Sequence, residues 1–497
     1  MTELPLSPDA EADAETDGWN ALYLGGEWTD QGGRDSISVE NPYTREELTT
    51  VPAGTPADVD QAYEAAAAAQ EQWADQPPQG RAQVVTAALE FVRDNREAIL
   101  ELLALEAGSA RVKGVAEIQT ATGMMQQAAS FPFRMDGQQT ASIVPGKENT
   151  VERVPVGVVG VISPWNFPLH LSMRAVAPAI AAGNGVVLKP ASNTPITGGL
   201  LLARIFEEAG APEGLISVVP GPGSEIGDEI AGHDIPRVVA FTGSTPVGLS
   251  VAEQAAGNCA LPALELGGNN VHVVTDRADV AQAADAGAFG SFLHQGQICI
   301  SANRHLVHEE VYDEYVDQLA ERAASLPTGD PTDEETIIGP IIDESQRDQI
   351  VEYIEDTVDE GATLEAGGDH DGLVVEPTVL ADADNDMPAA CNEHFGPVAP
   401  VIPYSSTEEA IELANDTIHG LSGSVHSQDL AQARRIADGI ETGMIHINDQ
   451  PVNDEPHVPF GGMKQSGLGR YNGESILEEV TTTKWISVQR EPREYPF

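Results

Sequence analysis

Val156-Gly-Val-Val-Gly-Val-Ile162, followed at once by Ser163-Pro-Trp-Asn-Phe-Pro168, is the stretch that decides the fold. An unbroken apolar run of this length reads as a strand buried on both faces. The two prolines behind it end the strand in a stiff turn. Working outward, the pattern alternates. A helix is expected over residues 173–182, a strand over 185–188, and a helix opened by Thr194-Pro195 that closes near Gly210. A strand follows at 216–219, a helix at 224–231, a strand at 238–241, a helix at 246–256 and a strand at 263–266. Apolar strands alternating with helices predict an α/β fold with a doubly wound parallel sheet. Its ligand should lie beyond the carboxyl ends of the strands.

Further upstream, residues 21–51 read as short strands and turns. A helix then opens with Thr55 as cap, Pro56 in the first position and Asp58 in the first turn, and runs to about Trp73. A second long helix is expected over 80–105. Downstream of 266 a second α/β unit begins, with a strand at 271–274, a helix at 278–294 and a loop at 295–299. It continues with a strand at 305–307, a helix at 310–324 and further alternation up to 444–447. Residues 459–468 are Gly-rich and read as a loop. Residues 484–489 alternate like a strand at the very end of the chain, with no sequence neighbour, and are expected to pair with another subunit.

The chain has 497 residues, with 79 Asp and Glu against 25 Lys and Arg, a net charge of −54. That surface repels phosphates, so nucleic acid and anionic membrane are excluded as partners. Hydrophobic residues still make up 41 %, enough for a large core. Only five lysines occur, at 113, 147, 189, 464 and 484. Scarce lysine with abundant carboxylate is a halophile-like composition, in which molar salt shortens the Debye length to about 3 Å and screens the repulsion. Residues 1–18 read as an acidic disordered tail. No positively charged leader and no apolar run of membrane length are present, so a cytoplasmic location is expected. Three widely spaced cysteines, 259, 299 and 391, suit neither a disulfide framework nor a metal cluster, and no metal site is expected.

Several short motifs carry chemistry. Cys299 sits in His294-Gln-Gly-Gln-Ile-Cys299, a polar loop rather than an apolar run, and suits a nucleophile. Glu265 ends an apolar strand, where burial would raise its pKa towards that of a general base. Asn166, held between two prolines, suits an oxyanion donor. Lys189 at a strand's carboxyl end suits an anionic or hydroxyl-rich ligand, and Glu393 in a Gly/Pro turn suits ribose hydroxyls. Gly243-Ser244-Thr-Pro-Val-Gly248 leaves a strand and enters a helix, a fitting context for a phosphate at a helix N-terminus. A standard G-x-G-x-x-G is absent: Gly221, Gly223 and Gly227 are spaced one residue too wide. Each motif alone also fits a turn, a cap or a core residue.

Together, Pro-Trp165-Asn166-Phe, Lys189-Pro, Phe-Thr-Gly243-Ser-Thr-x-x-Gly248, Glu265-Leu266-Gly-Gly, Gly-Gln-x-Cys299 and Glu393-x-Phe395-Gly-Pro resemble the aldehyde dehydrogenase superfamily in order and spacing. The end of the chain and Phe-Leu-His-Gln-Gly-Gln-Ile-Cys are similar to its benzaldehyde and vanillin dehydrogenase branch. The resemblance implies oxidation of an aldehyde, with an aromatic one suggested, to a free acid with NAD or NADP. Cys299 would be the nucleophile, Asn166 the oxyanion donor and Glu265 the base that activates water. It assigns the cofactor site to Ser163, Trp165, Lys189, Ser192, Gly243, Ser244, Gly248, Leu266, Glu393 and Phe395. It divides the chain into a cofactor domain (19–137 and 157–266), a catalytic domain (267–462) and a small β oligomerisation arm (138–156 and 478–497) serving a homodimer or homotetramer.

Two positions depart from the family pattern. Ser192 stands where many NAD-preferring members carry Glu, which implies tolerance of NADP. His294 stands where Asn is common. Met124, Met125, Phe167, His170 and Ile300 are candidate substrate-lining residues. A semialdehyde or aliphatic substrate, and a catalytically silent cofactor-binding homologue, are the alternative readings.

Overall fold

The computed structural model describes residues 19–29 and 33–497; the tail expected over 1–18 lies outside them. The apolar run that begins at Val156 forms the strand Val158–Ile162 at the centre of an eight-stranded sheet. Gly185–Lys189 and then Ile216–Val218 stack in parallel on one side of it. Val238–Thr242 and then Leu261–Glu265 stack in parallel on the other. The chain therefore reverses its direction of travel across the sheet between Ile162 and Thr242. A crevice opens at such a switch point, outside the carboxyl ends of the strands. Leu22–Leu24 pairs antiparallel with Ile216–Val218, and Glu27–Thr29 beyond it closes that flank. Gly467–Leu468, inside the segment expected to be a loop, closes the other by pairing antiparallel with Leu261–Glu265.

A second sheet of seven strands has the order Thr363–Ala366, Thr378–Ala381, Val398–Tyr404, Ala302–His308, Asn270–Val274, Gly423–His426 and His446–Ile447. All its pairs but the first are parallel. Only residues 266–269 separate the last parallel strand of the first sheet from the first strand of the second. That short link brings the carboxyl end of one sheet against the other. A third, three-stranded sheet joins Thr481–Gln489, Lys147–Pro155 and Gln138–Ala141. The terminal strand expected to seek another subunit thus pairs over nine positions within its own chain.

The helix expected over 80–105 is two helices, Pro78–Asp94 and Arg96–Ala107. Asn95 breaks it by donating its side-chain amide to the Phe91 carbonyl at 2.8 Å, a local bond that competes with the helical ladder. A further helix, Arg111–Ala128, follows, and the helix expected from 173 begins at Pro168. The segment opened by Thr194-Pro195 begins as a π-helical turn, Ile196–Leu200, before the α-helix Leu201–Glu208. Glu106 explains that start. Its fully buried carboxyl accepts the backbone N–H groups of Ile196 at 2.8 Å and Thr197 at 2.7 Å, and the Thr197 hydroxyl as well. It supplies from a distant helix the acceptors that the first turn lacks. Burial pushes its pKa up to about 7.

Removing those acceptors leaves two buried amides unpaired, at a cost of about 2–4 kcal/mol. Glu106→Ala is therefore expected to lower the thermal midpoint by about 3 °C or more. An unchanged midpoint in a scanning-calorimetry comparison would contradict this role.

Candidate active site

Cys299 lies in the loop between the helix Val280–Phe292 and the strand Ala302–His308. Three consecutive residues there, His294, Gln295 and Gly296, have φ of 50°, 55° and 68°. Two of them are not glycine, so the surroundings must hold this left-handed run. Gln295 donates to the Pro340 carbonyl at 2.7 Å, and Gln297 accepts the Ile342 amide at 3.0 Å. Gly296 has no room for a side chain, since a Cβ there would meet the Gly396 carbonyl at 2.0 Å. Asn270 clamps the far side of the loop, donating to the carbonyls of Cys299 at 2.9 Å and Ser301 at 2.7 Å.

Asn166, on the switch-point turn, reaches across to this loop and donates its amide to the Gln297 carbonyl at 2.9 Å. Glu265 ends its strand opposite Thr242. It is 2 % exposed, and neither carboxyl oxygen has a hydrogen-bond partner. Burial raises its pKa well above the ordinary carboxylate value, partly opposed by the charges of Arg174 and Arg470. The Cys299 thiol is likewise pushed up to about 12, by burial first and then by Glu393, with Arg174 pulling the other way. Burial therefore favours the protonated form of both groups.

Asn166, Glu265 and Cys299 line one cavity of roughly 610 Å³ at the switch point. Trp165, Gly243, Ser244, Leu266, Glu393 and Phe395 line it too. Phe395 stands edge-on to Trp165, with ring centroids 5.5 Å apart. The Ser244 side chain does not cap the helix Thr245–Gly257, so the N-terminus of that helix faces the cavity uncapped. Gly248 lets the helix sit close, since a Cβ there would meet Leu266 at 2.2 Å. Glu393 accepts the Gly268 amide at 2.9 Å, and its pKa is raised to about 7 by burial. Lys189 and Ser192 lie on the neighbouring strand end, where Ser192 donates to the Gly221 carbonyl at 3.2 Å.

The Ser163 hydroxyl is buried and hydrogen-bonds with the Ser172 hydroxyl at 2.7 Å, which braces the turn. Met124 and Met125 are buried on the helix Arg111–Ala128, Met125 within the core of the first sheet. Ile300 and Phe167 do pack beside Cys299, in an apolar cluster with Leu293, Ile298, Leu421 and Phe460. Asn270, Gln295 and Arg174 went unread in the sequence, because their partners are far along the chain. Among the described residues, no group of three or more His, Cys, Asp or Glu is placed to hold a metal ion.

Residues 28–486 match the model of the aldehyde dehydrogenase family. The chain belongs to the aldehyde dehydrogenase family. It is 47 % identical to a benzaldehyde dehydrogenase of Bacillus subtilis, over 96 % of this chain and 99 % of that one. It is 50 % identical to a vanillin dehydrogenase of Corynebacterium glutamicum, over 94 % and 97 %. The solved structure of an NAD-dependent benzaldehyde dehydrogenase from Corynebacterium glutamicum superposes with a TM-score of 0.88 at 44 % identity, covering 98 % of this chain and 99 % of that one. A betaine aldehyde dehydrogenase from Staphylococcus aureus in complex with NAD+ superposes at 0.93 with 34 % identity, covering 96 % of each chain.

In this aldehyde dehydrogenase, Asn270→Ala frees the cysteine loop on one side. Misplacing a nucleophile by about 1 Å costs about 100-fold in rate. The variant is expected to lose that much in kcat while cofactor affinity stays within about threefold, since Asn270 does not line the cavity. Unchanged kcat would show that the clamp does not position Cys299.

Proposed function

We propose that the protein oxidises aromatic aldehydes to free carboxylic acids with NAD+ or NADP+. The observation that carries this reading is Cys299, set between the Asn166 amide, the dry Glu265 carboxyl and an apolar cluster with two aromatic rings, Phe167 and Phe460. The relatives named for benzaldehyde and vanillin support the aromatic class. The surroundings also fit a dinucleotide. Lys189 Nζ is buried and donates to the Pro190 carbonyl at 3.1 Å, which leaves capacity for further acceptors such as ribose hydroxyls. Burial pulls its pKa down to about 8. Gly267 leaves a cradle beside Glu393, since a Cβ there would meet the Glu393 carboxyl at 2.1 Å. Lys189 and Glu393 would hold the two riboses, with the uncapped helix at Ser244 near the pyrophosphate.

In this mechanism the Cys299 thiol gives up its proton to solvent as its sulfur bonds to the aldehyde carbon. The new oxyanion is held by the Asn166 amide and the Cys299 backbone N–H. The nicotinamide, when bound, supplies the hydride acceptor. Cys299 then carries the acyl group as a thioester. Glu265 takes a proton from water as the hydroxyl bonds to the acyl carbon, the C–S bond breaks to release the acid, and Glu265 returns that proton to the sulfur, restoring the thiol. A carboxyl with a raised pKa is a better base than an ordinary one. The same shift means that the carboxylate form is lost on acidification at a higher pH than usual, so activity should begin to fall at a higher pH than an ordinary carboxylate would set.

Ser192 places no carboxylate against a 2′-phosphate, which supports acceptance of NADP+. The net charge of −54 supports operation at high salt. No helix among the described residues is long and apolar enough to cross a membrane. The outer edge of Thr481–Gln489, with Trp485 exposed, suits pairing with a second copy in a homodimer or homotetramer.

The test is cofactor reduction by benzaldehyde in molar KCl. One acid formed per cofactor reduced is expected, with both NAD+ and NADP+. Absence of turnover with any aromatic aldehyde would contradict the reading, and activity with NAD+ alone would remove the role given to Ser192.

A further inference from the structure

The helix Pro168–Ala182 begins immediately after Asn166 and Phe167 and leads away from Cys299. Four and eight residues beyond Asn166 it carries His170 and Arg174, on one face at helical spacing. Both side chains are buried and both turn to Asp454, from the loop before Phe460. The Arg174 guanidinium pairs with the Asp454 carboxylate, and His170 Nε2 stands 3.4 Å from the same oxygen. Asn472 donates to the other oxygen at 2.7 Å. The group abuts the apolar cluster that holds Cys299. The Arg174 guanidinium lies 4.1 Å from the centre of the Phe460 ring, and the His170 ring stands edge-on to Phe167 at 6.4 Å.

This polar group is not fully satisfied by the protein. His170 Nε2 and Arg174 Nε are buried without a hydrogen-bond partner. The Asp454 side chain keeps 15 % exposure, against 5 % for His170 and 2 % for Arg174. A buried ion pair beside an apolar cluster is costly in stability and gains little unless it serves a ligand. The placement names that ligand. His170 stands in the first turn of the helix, edge-on to Phe167, and Arg174 and Asp454 are near enough for their charges to act on Cys299. An aromatic ring held at Cys299 between Phe167 and Phe460 directs the substituent opposite its aldehyde towards this group.

We propose that His170 and Asp454, steadied by Arg174, form a subsite for a hydroxyl group on the ring of the substrate, opposite the aldehyde. The hydroxyl donates to the Asp454 carboxylate and accepts from His170 Nε2–H, which gives the unpartnered nitrogen its bond. Phe167 and Phe460 flank the ring between the two polar ends of the site. The enzyme then selects phenolic aldehydes over benzaldehyde itself. This selectivity rests on the aromatic reading above and narrows it.

The test compares kcat/KM for benzaldehyde, 4-hydroxybenzaldehyde and 4-methoxybenzaldehyde in molar KCl. The wild type should favour the hydroxylated substrate by roughly tenfold or more, the order of one charge-assisted hydrogen bond, with the gain in KM. The methyl ether, which cannot donate, should lose that advantage. His170→Leu should bring the hydroxyl and unsubstituted substrates to within about threefold by raising KM for the former. Asp454→Asn should do the same if it folds; the wild-type comparison of hydroxyl with methoxyl does not depend on either variant. Equal kcat/KM for all three aldehydes in the wild type would overturn the subsite. So would a hydroxyl preference that survives His170→Leu. Failure of all three aldehydes in the wild type would instead overturn the aromatic reading itself.

Discussion

A carboxyl group kept dry and without a hydrogen-bond partner is the constraint around which this molecule is arranged. Glu265 ends a buried strand, where solvent is excluded by the second sheet and by the returning segment Gly467–Leu468. Gly461 presses so close that a Cβ there would stand 2.8 Å from Glu265 Oε1. Such burial costs several kcal/mol when the group is charged, which is why its pKa rises. The same dryness raises the Cys299 thiol. Both groups therefore hold their protons more tightly than they would in water.

The two sheets have separate tasks in maintaining that arrangement. The first supplies Asn166 and Glu265 from the carboxyl ends of strands on either side of its switch point. The second supplies Cys299 from a loop whose left-handed backbone is pinned by Gln295, Gln297 and Asn270. Because only residues 266–269 link the last parallel strand of one to the first strand of the other, the relative placement of Glu265 and Cys299 is set by the packing of two large cores. Each core is close-packed and resists small displacements.

The parallel strands were legible from the sequence because strands buried on both faces write themselves as apolar runs. The motifs around Asn166, Lys189, Gly243, Glu265, Cys299 and Glu393 were legible because each is a short contiguous stretch. What escaped was long-range. The helix break at Asn95 hangs on one side-chain bond, the start of Ile196–Leu200 on a carboxylate 90 positions earlier, and the terminal strand finds its partner over 300 residues upstream. The His170, Arg174 and Asp454 group was invisible for the same reason, since nothing near Asp454 in the chain hints at a partner 280 positions away.

The most direct measurement is mass spectrometry of Glu265→Gln after mixing with benzaldehyde and cofactor. Glutamine keeps the shape and removes the base, so hydrolysis of the thioester should slow by about 100-fold or more. A benzoyl adduct of the Cys299 peptide is the expected result, and Cys299→Ala on the same background should lack it. Steady turnover by Glu265→Gln near the wild-type rate, with no adduct on Cys299, would contradict the account.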